Sequence, residues 1–479
     1  MNTLPKVLAI SPALLLGGCL VGPNYHRPPV ATPPQYKELD GWTVAAPAAD
    51  QPKGNWWTAF NDPLLDELEP MVSVSNQTVR QDYANYQQAL AEVQVARSAL
   101  FPIIGISGGV TRQRVASGQN TPGAGGVVNS GSLEGSASWA PDLWGAVRRN
   151  IEASKATAQA SAATLANATL AQQTALATAV IELRVTDANI DLLQRTVAAF
   201  TEFLRVVSNQ GRAGTTPPSD VITARTQLEN TQSSLIALGV ARAQDAHAIA
   251  VLVGKNPEDL DIARGTAVPE LPTLPIGVPS TLLQRRPDVA VAERQMAAAN
   301  AQIGVAEAAY YPTLTLSAVD GFSQSPLAGL LHAANNIWSL GADASENLFQ
   351  GGLTRAQVAA AKAAYDATVA NYRGTVLKAL QNVEDDLAGL RILAQQSDVL
   401  DSAVRDATRG SEIAFNEYRA GTVDYTTAAT AQATQLSIEE TALSVKLQRL
   451  LDTVSLIGDV GGGWSADDLQ NPGKIAATP

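Results

Sequence analysis

The side chains that could do metal or acid–base chemistry are few and widely separated. The three histidines, His26, His247 and His332, lie far apart, and no residues near them have the spacing of metal ligands. The run from Gly105 to Gly109 fits the G-x-S-x-G pattern of serine hydrolases. That motif needs a sharp turn between a strand and a helix, whereas Ser107 lies within an alternating apolar and polar run. The sequence therefore predicts no enzyme, no metal site and no cofactor.

The one cysteine, Cys19, ends a segment with the features of a secretory signal. Lys6 precedes an apolar run, Val7–Leu16, that is too short to span a bilayer, and two glycines separate this run from the cysteine. Residues 16–19 resemble a bacterial lipobox, which implies a covalent N-acyl and S-diacylglycerol lipid on Cys19. Leu20 in place of aspartate then implies no retention at the inner membrane. The alternative is a plain signal peptide with an incidental cysteine.

The charge of the chain argues against one large class of partners. The 479 residues carry a net charge of −12, so a phosphate-seeking basic surface is not expected and nucleic acid is a poor partner. The acidic run Glu384-Asp385-Asp386 lies in a helical pattern. We expect it to form a patch that faces solvent or the water-filled interior of an assembly of such helices.

A helix of about 65 residues is predicted over 145–210. The segment Ala146–Gln210 has no proline or glycine, and apolar residues recur in steps of three and four, as in Leu176, Val180 and Leu183. At ~1.5 Å per residue it would reach roughly 100 Å. Charged residues spread along it exclude a membrane span. The pattern is typical of long helices that pack side by side.

Two β-hairpins are predicted from alternating sequence patterns. Over 103–141 apolar residues alternate with serine and threonine on both sides of a glycine-rich loop. Over 313–347 the alternation returns, and Leu314, Leu316 and Ala318 occupy one face of the first strand. All four strands therefore have one apolar face and one small, polar face.

The plan of the chain repeats once. An offset of 207 positions relates Arg148 to Arg355, Leu183 to Leu390 and Arg212 to Arg419. A constant offset over such a span indicates an internal duplication. The predicted order begins with a signal peptide (1–18) and an extended tether (19–61), whose end docks through Trp56, Trp57 and Phe60. A first repeat (62–258), a connector (259–286), a second repeat (287–460) and a tail (461–479) follow. Each repeat contains a helix, a hairpin (103–141 and 313–347), a long helix (145–210 and 353–418) and a return helix (219–252 and 426–457).

Four amphipathic strands cannot complete a membrane sheet within one chain. Every backbone group must pair inside a bilayer, so a sheet persists there only as a closed barrel, and the smallest membrane barrels have about eight strands. Several copies would have to close the ring, with polar faces towards a lumen and apolar faces towards lipid. The alternative is a lipid-anchored periplasmic adaptor with a small soluble β-domain and no pore.

Five short runs occur in order along the mature chain. They are Val21-Gly22-Pro23-Asn24-Tyr25, Trp56-Trp57 with Asp62-Pro63, residues 279–288, residues 298–304, and Gly461-Gly462-Gly463-Trp464. Together they resemble the outer-membrane factors of the TolC/NodT efflux lipoprotein type. The resemblance implies an α+β membrane protein with a TolC-like fold. In this fold a homotrimer gives four strands per chain to a twelve-stranded outer-membrane barrel and its helices to a periplasmic α-helical barrel. It also implies a periplasmic adaptor (membrane fusion) protein and an inner-membrane pump of the RND type as partners.

The same resemblance places a periplasmic gate at the turns that end the long helices. The corresponding turn residues are Gly214, Pro217, Pro218 and Gly421. Ser219 and Asp220 fall on a Thr-Asp pair of the family, and Tyr418 falls on its gate tyrosine. We expect the exposed Tyr418 hydroxyl to bond a carboxylate across a helix interface as a weak latch. The alternative is that Asp220 only caps a helix and Tyr418 only packs.

The predicted gate departs from the family in its charge. Thr427 and Thr430 stand where family members often have constricting aspartates, and Ala433 stands where an arginine is common. An acidic ring would bind cations. We therefore expect a more neutral constriction, in which Asp424 supplies the remaining acidity.

These patterns lead to one functional hypothesis and two alternatives. The hypothesis is an outer-membrane exit duct of a tripartite efflux system that passively conducts small amphipathic toxic compounds. The alternatives are an outer-membrane channel for protein or peptide secretion, and the non-pore adaptor described above.

Overall fold

The computed structural model describes residues 20–31, 33–38, 55–115, 126–265, 267–272 and 285–465. The predicted signal peptide and the lipidation site Cys19 lie outside these residues, as do parts of the predicted tether, connector and tail.

The order of elements repeats a helix, a hairpin, a long helix and a return helix. The described elements are α1 (Pro63–Ser75), α2 (Gln77–Ser98), β1 (Ile103–Val115), β2 (Gly126–Trp139), α3 (Ala146–Arg212), α4 (Pro218–Leu252), α5 (Pro287–Ala308), β3 (Thr313–Gln324), β4 (Asn336–Ser345), α6 (Leu353–Ala420) and α7 (Tyr425–Asp459). The long helices α3 and α6 contain 67 and 68 residues. The return helices α4 and α7 contain 35 residues each.

The four strands form one antiparallel sheet in the order β1-β2-β3-β4. Ile106 lies opposite Gly135 in the first pair, and Ala318 lies opposite Ala137 and Leu340 in the next two pairs. Strands β1 and β4 are the edges of this sheet and have no further partner strand within the described residues. An apolar face and two open edges are liabilities that soluble proteins avoid.

Spatial contacts divide the chain into two compact units. One contains residues 1–28, 87–160 and 292–372 and includes the sheet. The other contains residues 29–86, 161–291 and 373–479 and includes both turns that follow the long helices. Each unit takes segments from both repeats, so the units differ from the repeats.

Within the sheet-bearing unit, residues 20–28 form a segment that we call the N-terminal strap. The Val21 amide donates to the Trp144 carbonyl oxygen at 3.1 Å. The buried Arg149 guanidinium donates to the carbonyl oxygens of Val21 at 3.0 Å and Gly22 at 2.9 Å, and to Asn24 Oδ1 at 3.0 Å. These contacts correct the predicted tether, because its described first residues are docked rather than only its end.

Glycine at position 22 is required by both backbone and space. Gly22 has φ +91°, and a Cβ there would lie 2.3 Å from the Cα of Gly304 on α5. Asn300, one turn earlier on α5, donates from Nδ2 to the Pro23 carbonyl oxygen at 3.0 Å. The sequence runs 21–25 and 298–304 are therefore two sides of one contact.

In the other unit, charged side chains hold the start of α1 and the connector against α3. Asp62 caps α1, since its Oδ1 accepts from the Leu64 amide at 2.7 Å, and its Oδ2 accepts from Arg184 Nε at 2.8 Å. The buried Asp187 accepts from Arg242 Nε at 2.7 Å and from the Gly265 amide at 3.0 Å. Trp57 and Phe60 are buried beside this region, as the sequence predicted for the end of the tether.

Candidate functional site

The turns that end the two long helices have the same backbone geometry. Gly214 and Gly421 adopt φ +75° and +76°, a left-handed conformation that favours glycine. The Thr215 amide donates to the Gln210 carbonyl oxygen, and the Thr422 amide donates to the Glu417 carbonyl oxygen, both at 3.0 Å. Each threonine hydroxyl donates to the same carbonyl oxygen as its amide. Both helices therefore end in a Schellman turn reinforced by threonine.

The return helices begin differently. Helix α4 starts after Pro217 with Pro218 at its first position, and no side chain caps it. Helix α7 is capped by Asp424, whose Oδ1 accepts from the Thr427 amide at 2.8 Å and from the Thr427 hydroxyl at 2.6 Å. These hydrogen bonds lower the pKa of Asp424. Asp424 and Thr427 thus form a local helix cap, a role that the sequence analysis did not give them.

Beneath these turns lies a group that we call the tip aromatic cluster: Phe203, Phe415, Tyr418 and Tyr425. The Phe203 ring centroid lies 5.4 Å from those of Tyr418 and Tyr425 and 5.5 Å from that of Phe415. Val207, Ala224 and Ala428 complete the surrounding core. The cluster and this surrounding core therefore join α3 and α4 of the first repeat to α6 and α7 of the second. Burial raises the pKa of Tyr425 to about 12, so this hydroxyl stays neutral.

The predicted latch tyrosine occupies a different environment from the one expected. Tyr418 is 4% exposed, and its hydroxyl donates to Gln210 Oε1 on α3. The expectation of an exposed hydroxyl bonded to a carboxylate is therefore wrong for the single chain. The acceptor is a neutral amide within the same chain, and burial raises the pKa of Tyr418.

The remaining predicted gate residues lie on the first turns of the return helices. Ser219 and Asp220 follow Pro218 inside α4, and Asp220 Oδ1 accepts from the Ser219 hydroxyl at 3.3 Å. Neither residue is the N-cap, because Pro217 occupies that position. The Thr430 hydroxyl donates to the Thr426 carbonyl oxygen within α7 at 2.8 Å. The alternative in which Asp220 caps the helix is therefore also wrong.

Two of the three residues in the acidic run on α6 interact with other parts of the chain, so the run is not simply a solvated patch. Glu384 accepts from the backbone amides of Lys37 at 2.7 Å and Glu38 at 3.0 Å. Burial, together with the nearby Asp459 carboxylate, raises the pKa of Asp386 to about 8. Only Asp385 is exposed as predicted.

Sequence reasoning missed the residues that connect the repeats. Phe203 and Gln210 lie on the regular apolar and polar faces of a long helix, and their partners follow more than 200 positions later. One signal was available: the offset of 207 aligns Tyr418 with Gly211 and Tyr425 with Pro218, so the second repeat alone has aromatic residues there. Within the described residues no group of three or more metal-ligating side chains comes together.

Comparisons with known proteins give a consistent result. A family model described as outer membrane efflux protein matches residues 71–255 and 278–462. The toluene efflux pump outer membrane protein TtgF of Pseudomonas putida is 30% identical over 464 residues, which are 95% of this chain and 96% of that protein. Nodulation protein T of Rhizobium leguminosarum biovar trifolii is 28% identical over 463 residues, covering 95% of this chain and 96% of that protein. The outer-membrane channel OprN superposes with a TM-score of 0.87 and 27% identity, over 93% of this chain and 100% of that chain.

Proposed function

Because the chain belongs to the outer membrane efflux protein family, we propose that it is the exit duct of a tripartite efflux system, conducting small amphipathic toxic compounds passively out of the cell. The predicted family resemblance and TolC-like fold are confirmed by these comparisons. The observation that carries the proposal is the sheet: four strands, an exposed apolar face and two open edges. Such a sheet is stable in a bilayer only when closed into a barrel.

Closure requires further copies of the chain, and we assign three. Strand β1 of one copy would pair with β4 of the next, so three copies give twelve strands. Helix α4 supports this assembly, because Ile222, Ile236 and Val240 on it are exposed in the single chain. Among the described helices, α4 alone is long and apolar enough to cross a membrane, yet little of its apolar stretch is buried. Contact with neighbouring copies explains this composition without a membrane crossing.

The N-terminal strap supports a lipid anchor at Cys19. Leu20 packs against Gly145, where a Cβ would lie 2.6 Å from Leu20 Cδ1, directly before α3 begins. Trp139 and Trp144 lie in the same region, at the end of β2 and just before α3. Aromatic side chains of this kind are typical of membrane interfaces. In this proposal the acylated cysteine sits at the periplasmic interface of the outer membrane.

The turns following the long helices form the periplasmic entrance and the docking end for an adaptor protein and an RND-type pump. In this proposal Ser219, Asp220, Asp424, Thr427 and Thr430, at the starts of the return helices, line the entrance, and the buried Tyr418 supports it. The Tyr418–Gln210 hydrogen bond holds the second repeat against the first within each chain. The substrate class is supported by TtgF, whose name refers to toluene.

Purification in mild detergent followed by planar-bilayer recording tests the proposal. We expect a trimer by mass and stepwise conductance, and a deletion strain sensitive to toluene and antibiotics but normal in protein secretion. A monomer without conductance, or a strain impaired only in secretion, would contradict it.

The contribution of the Tyr418 hydroxyl is tested by Tyr418→Phe. Tyr425→Phe is the matched control, because no hydrogen bond from the Tyr425 hydroxyl is found among the described residues. We expect Tyr418→Phe to raise the open probability, since the hydrogen bond to Gln210 is lost. Equal recordings for the two variants would exclude this latch.

The neutral constriction is tested by adding divalent cations to the same recordings. We expect weak block of the wild-type channel, and none after Asp424→Ala. Strong block that survives this substitution would show that another acidic ring controls the entrance.

A further inference from the structure

The outward apolar face of strand β1 ends in two arginines. Ile104, Ile106 and Val110 are 77, 82 and 69% exposed and lie on one face of the strand. Because side chains alternate between faces, Arg112 and Arg114 continue the same face. Both are exposed, and neither makes an ion pair or hydrogen bond to another described residue.

The neighbouring strand leaves these arginines without a nearby acidic partner. Arg112 lies opposite Asn129 and Arg114 lies opposite Val127 on β2. The one acidic residue of β2, Glu134, lies opposite Ser107 and therefore on the polar face. On β3, Asp320 shares the apolar face, but it lies opposite Gly135 and its carboxylate accepts from Asn336 Nδ2 at 3.1 Å.

The position of the arginines marks the edge of the hydrocarbon region. An arginine on the lipid face of a membrane strand is strongly unfavourable at the bilayer midplane and tolerated at the interface. At ~3.3 Å per residue, Arg112 and Arg114 lie about 7 and 13 Å beyond Val110 along the strand. Counted from Ile103, Arg112 lies ~30 Å along the strand, which a tilt of about 40° reduces to roughly 23 Å across the bilayer. This span is close to the apolar band of about 25 Å in outer-membrane barrels, so Arg112 lies at its far edge and Arg114 lies beyond it.

The direction of β1 identifies the leaflet. The strand starts at Ile103, shortly after α2, and runs towards the hairpin loop at Val115. With the helices in the periplasm, the arginine end faces the outer leaflet. This step rests on the proposed function, because the leaflet is defined only if the sheet is part of an outer-membrane barrel.

We propose that Arg112 and Arg114 form a binding site for the phosphate groups of a phosphorylated lipid in the outer leaflet. The planar guanidinium group binds phosphate through two parallel hydrogen bonds and keeps its charge at all relevant pH values. The acyl chains of the same lipid would lie along Val110, Ile106 and Leu133 of the apolar face. The surface therefore combines a cationic rim with an adjoining apolar strip, which matches a phosphorylated lipid.

The experiment compares wild-type trimers with the Arg112→Gln/Arg114→Gln double variant. Each is titrated in detergent with bisphosphorylated lipid A, and bound lipid is counted by native mass spectrometry. We expect the double variant to bind roughly thirtyfold more weakly. Gln113→Ala is the matched control, because Gln113 lies between the arginines on the opposite face of β1, and it should bind like the wild type.

Separate arms identify the chemistry of the ligand. Phosphate-free lipid A should bind the wild type as weakly as intact lipid A binds the double variant. Equal binding of both lipids, or an unaffected double variant, would overturn the proposal. Competition by millimolar inorganic phosphate, without binding of the intact lipid, would point to a free-anion site and would also overturn it.

Two further measurements keep the result interpretable. If the double variant fails to assemble, Arg112→Lys/Arg114→Lys replaces it. This variant retains the charge, and we expect an intermediate affinity because lysine lacks the bidentate geometry. The proposal would be contradicted if the lysine variant selected for phosphate as strongly as the wild type, or if it did not select for phosphate at all. Conductance is recorded in parallel. A wild type that neither trimerises nor conducts counts against the proposed function, whereas a conducting trimer without phosphate selectivity counts against the lipid site alone.

Discussion

The turns at the ends of the two long helices have the same backbone conformation but different side chains. In both repeats a long helix ends in a Schellman turn at glycine, followed by a threonine that bonds the same carbonyl oxygen. The first tip then continues through Pro217 and Pro218, whereas the second has Asp424 and Tyr425 at the equivalent positions. The first is constrained by proline rings, and the second by a helix cap and aromatic packing.

The difference separates what the turn requires from what each tip is used for. A left-handed residue is needed to reverse the chain, so glycine is present in both copies. The following residues only need to start a helix, and proline and aspartate do so by different means. Duplication therefore preserved the turn, while the buried aromatic residues are found on the second copy and contact the first through Phe203.

The strongest test of this contrast is Phe203→Ala. Removal of the central ring should destabilise the protein by about 3–5 kcal/mol. It should increase hydrogen exchange of amides 418–428 more than of amides 214–216 and 219–222. Phe200→Ala is the control, because Phe200 is equally buried on α3 but lies outside the tip aromatic cluster. Unchanged exchange at the start of α7 in Phe203→Ala would show that the cluster does not hold the second tip.

Alanine at the two turn glycines tests what the tips share. No atom lies within 4 Å of a Cβ added at Gly214 or Gly421, so the cost is backbone strain alone. We expect each substitution to destabilise its tip by about 1–2 kcal/mol, measured as exchange of the last helical turn. Clearly unequal effects would mean that the two turns are not energetically equivalent.

Pro218→Ala tests the constraint that is specific to the first tip. The proline fixes φ at the first position of α4, so alanine should cost about 0.4–1 kcal/mol through the greater freedom of the unfolded chain. Ser219→Ala, a change at the next exposed position, is the control. If Pro218→Ala and the wild type unfold at the same temperature, the rigidity of Pro218 does not stabilise the first tip.

The smallest effect is expected at Asp424, where the cap is exposed. Its pKa is lowered by Thr427, so the cap contributes stability above the ordinary pKa of aspartate, near 3.9. That contribution is lost as the pH falls through the lower folded value. The protection factor of the Thr427 amide, which is its exchange relative to the intrinsic rate at the same pH, should therefore fall at acidic pH, and Asp424→Asn should remove this dependence while keeping the cap. A similar acid response at the uncapped first tip would contradict the assignment.

Local rules were sufficient for the repeated elements. Steps of three and four in proline-free segments predicted α3 and α6, and alternation predicted the four strands. A glycine predicted each turn, and two prolines follow it in the first repeat alone. Each of these features depends on neighbours within a few positions along the chain. The offset of 207 then related the two copies without knowledge of their packing.

Contacts between distant segments were not accessible in the same way. Arg149 has the sequence context of a surface charge on a long helix, yet it is buried against the N-terminal strap. Gln210 looked like any polar helical residue, and it is the acceptor of the Tyr418 hydroxyl. Their roles depend on which segments meet in space, and a single periodic pattern contains no information on that point.

The fastening of residues 20–24 limits how far an acyl group on Cys19 can move. Adjacent Cα atoms are about 3.8 Å apart, so the lipidated residue would have only one peptide unit of slack beyond docked Leu20. Because this linker is so short, the fatty acids would fix how deeply the protein is inserted in the bilayer. They would not act as a flexible anchor that lets the protein move relative to the membrane.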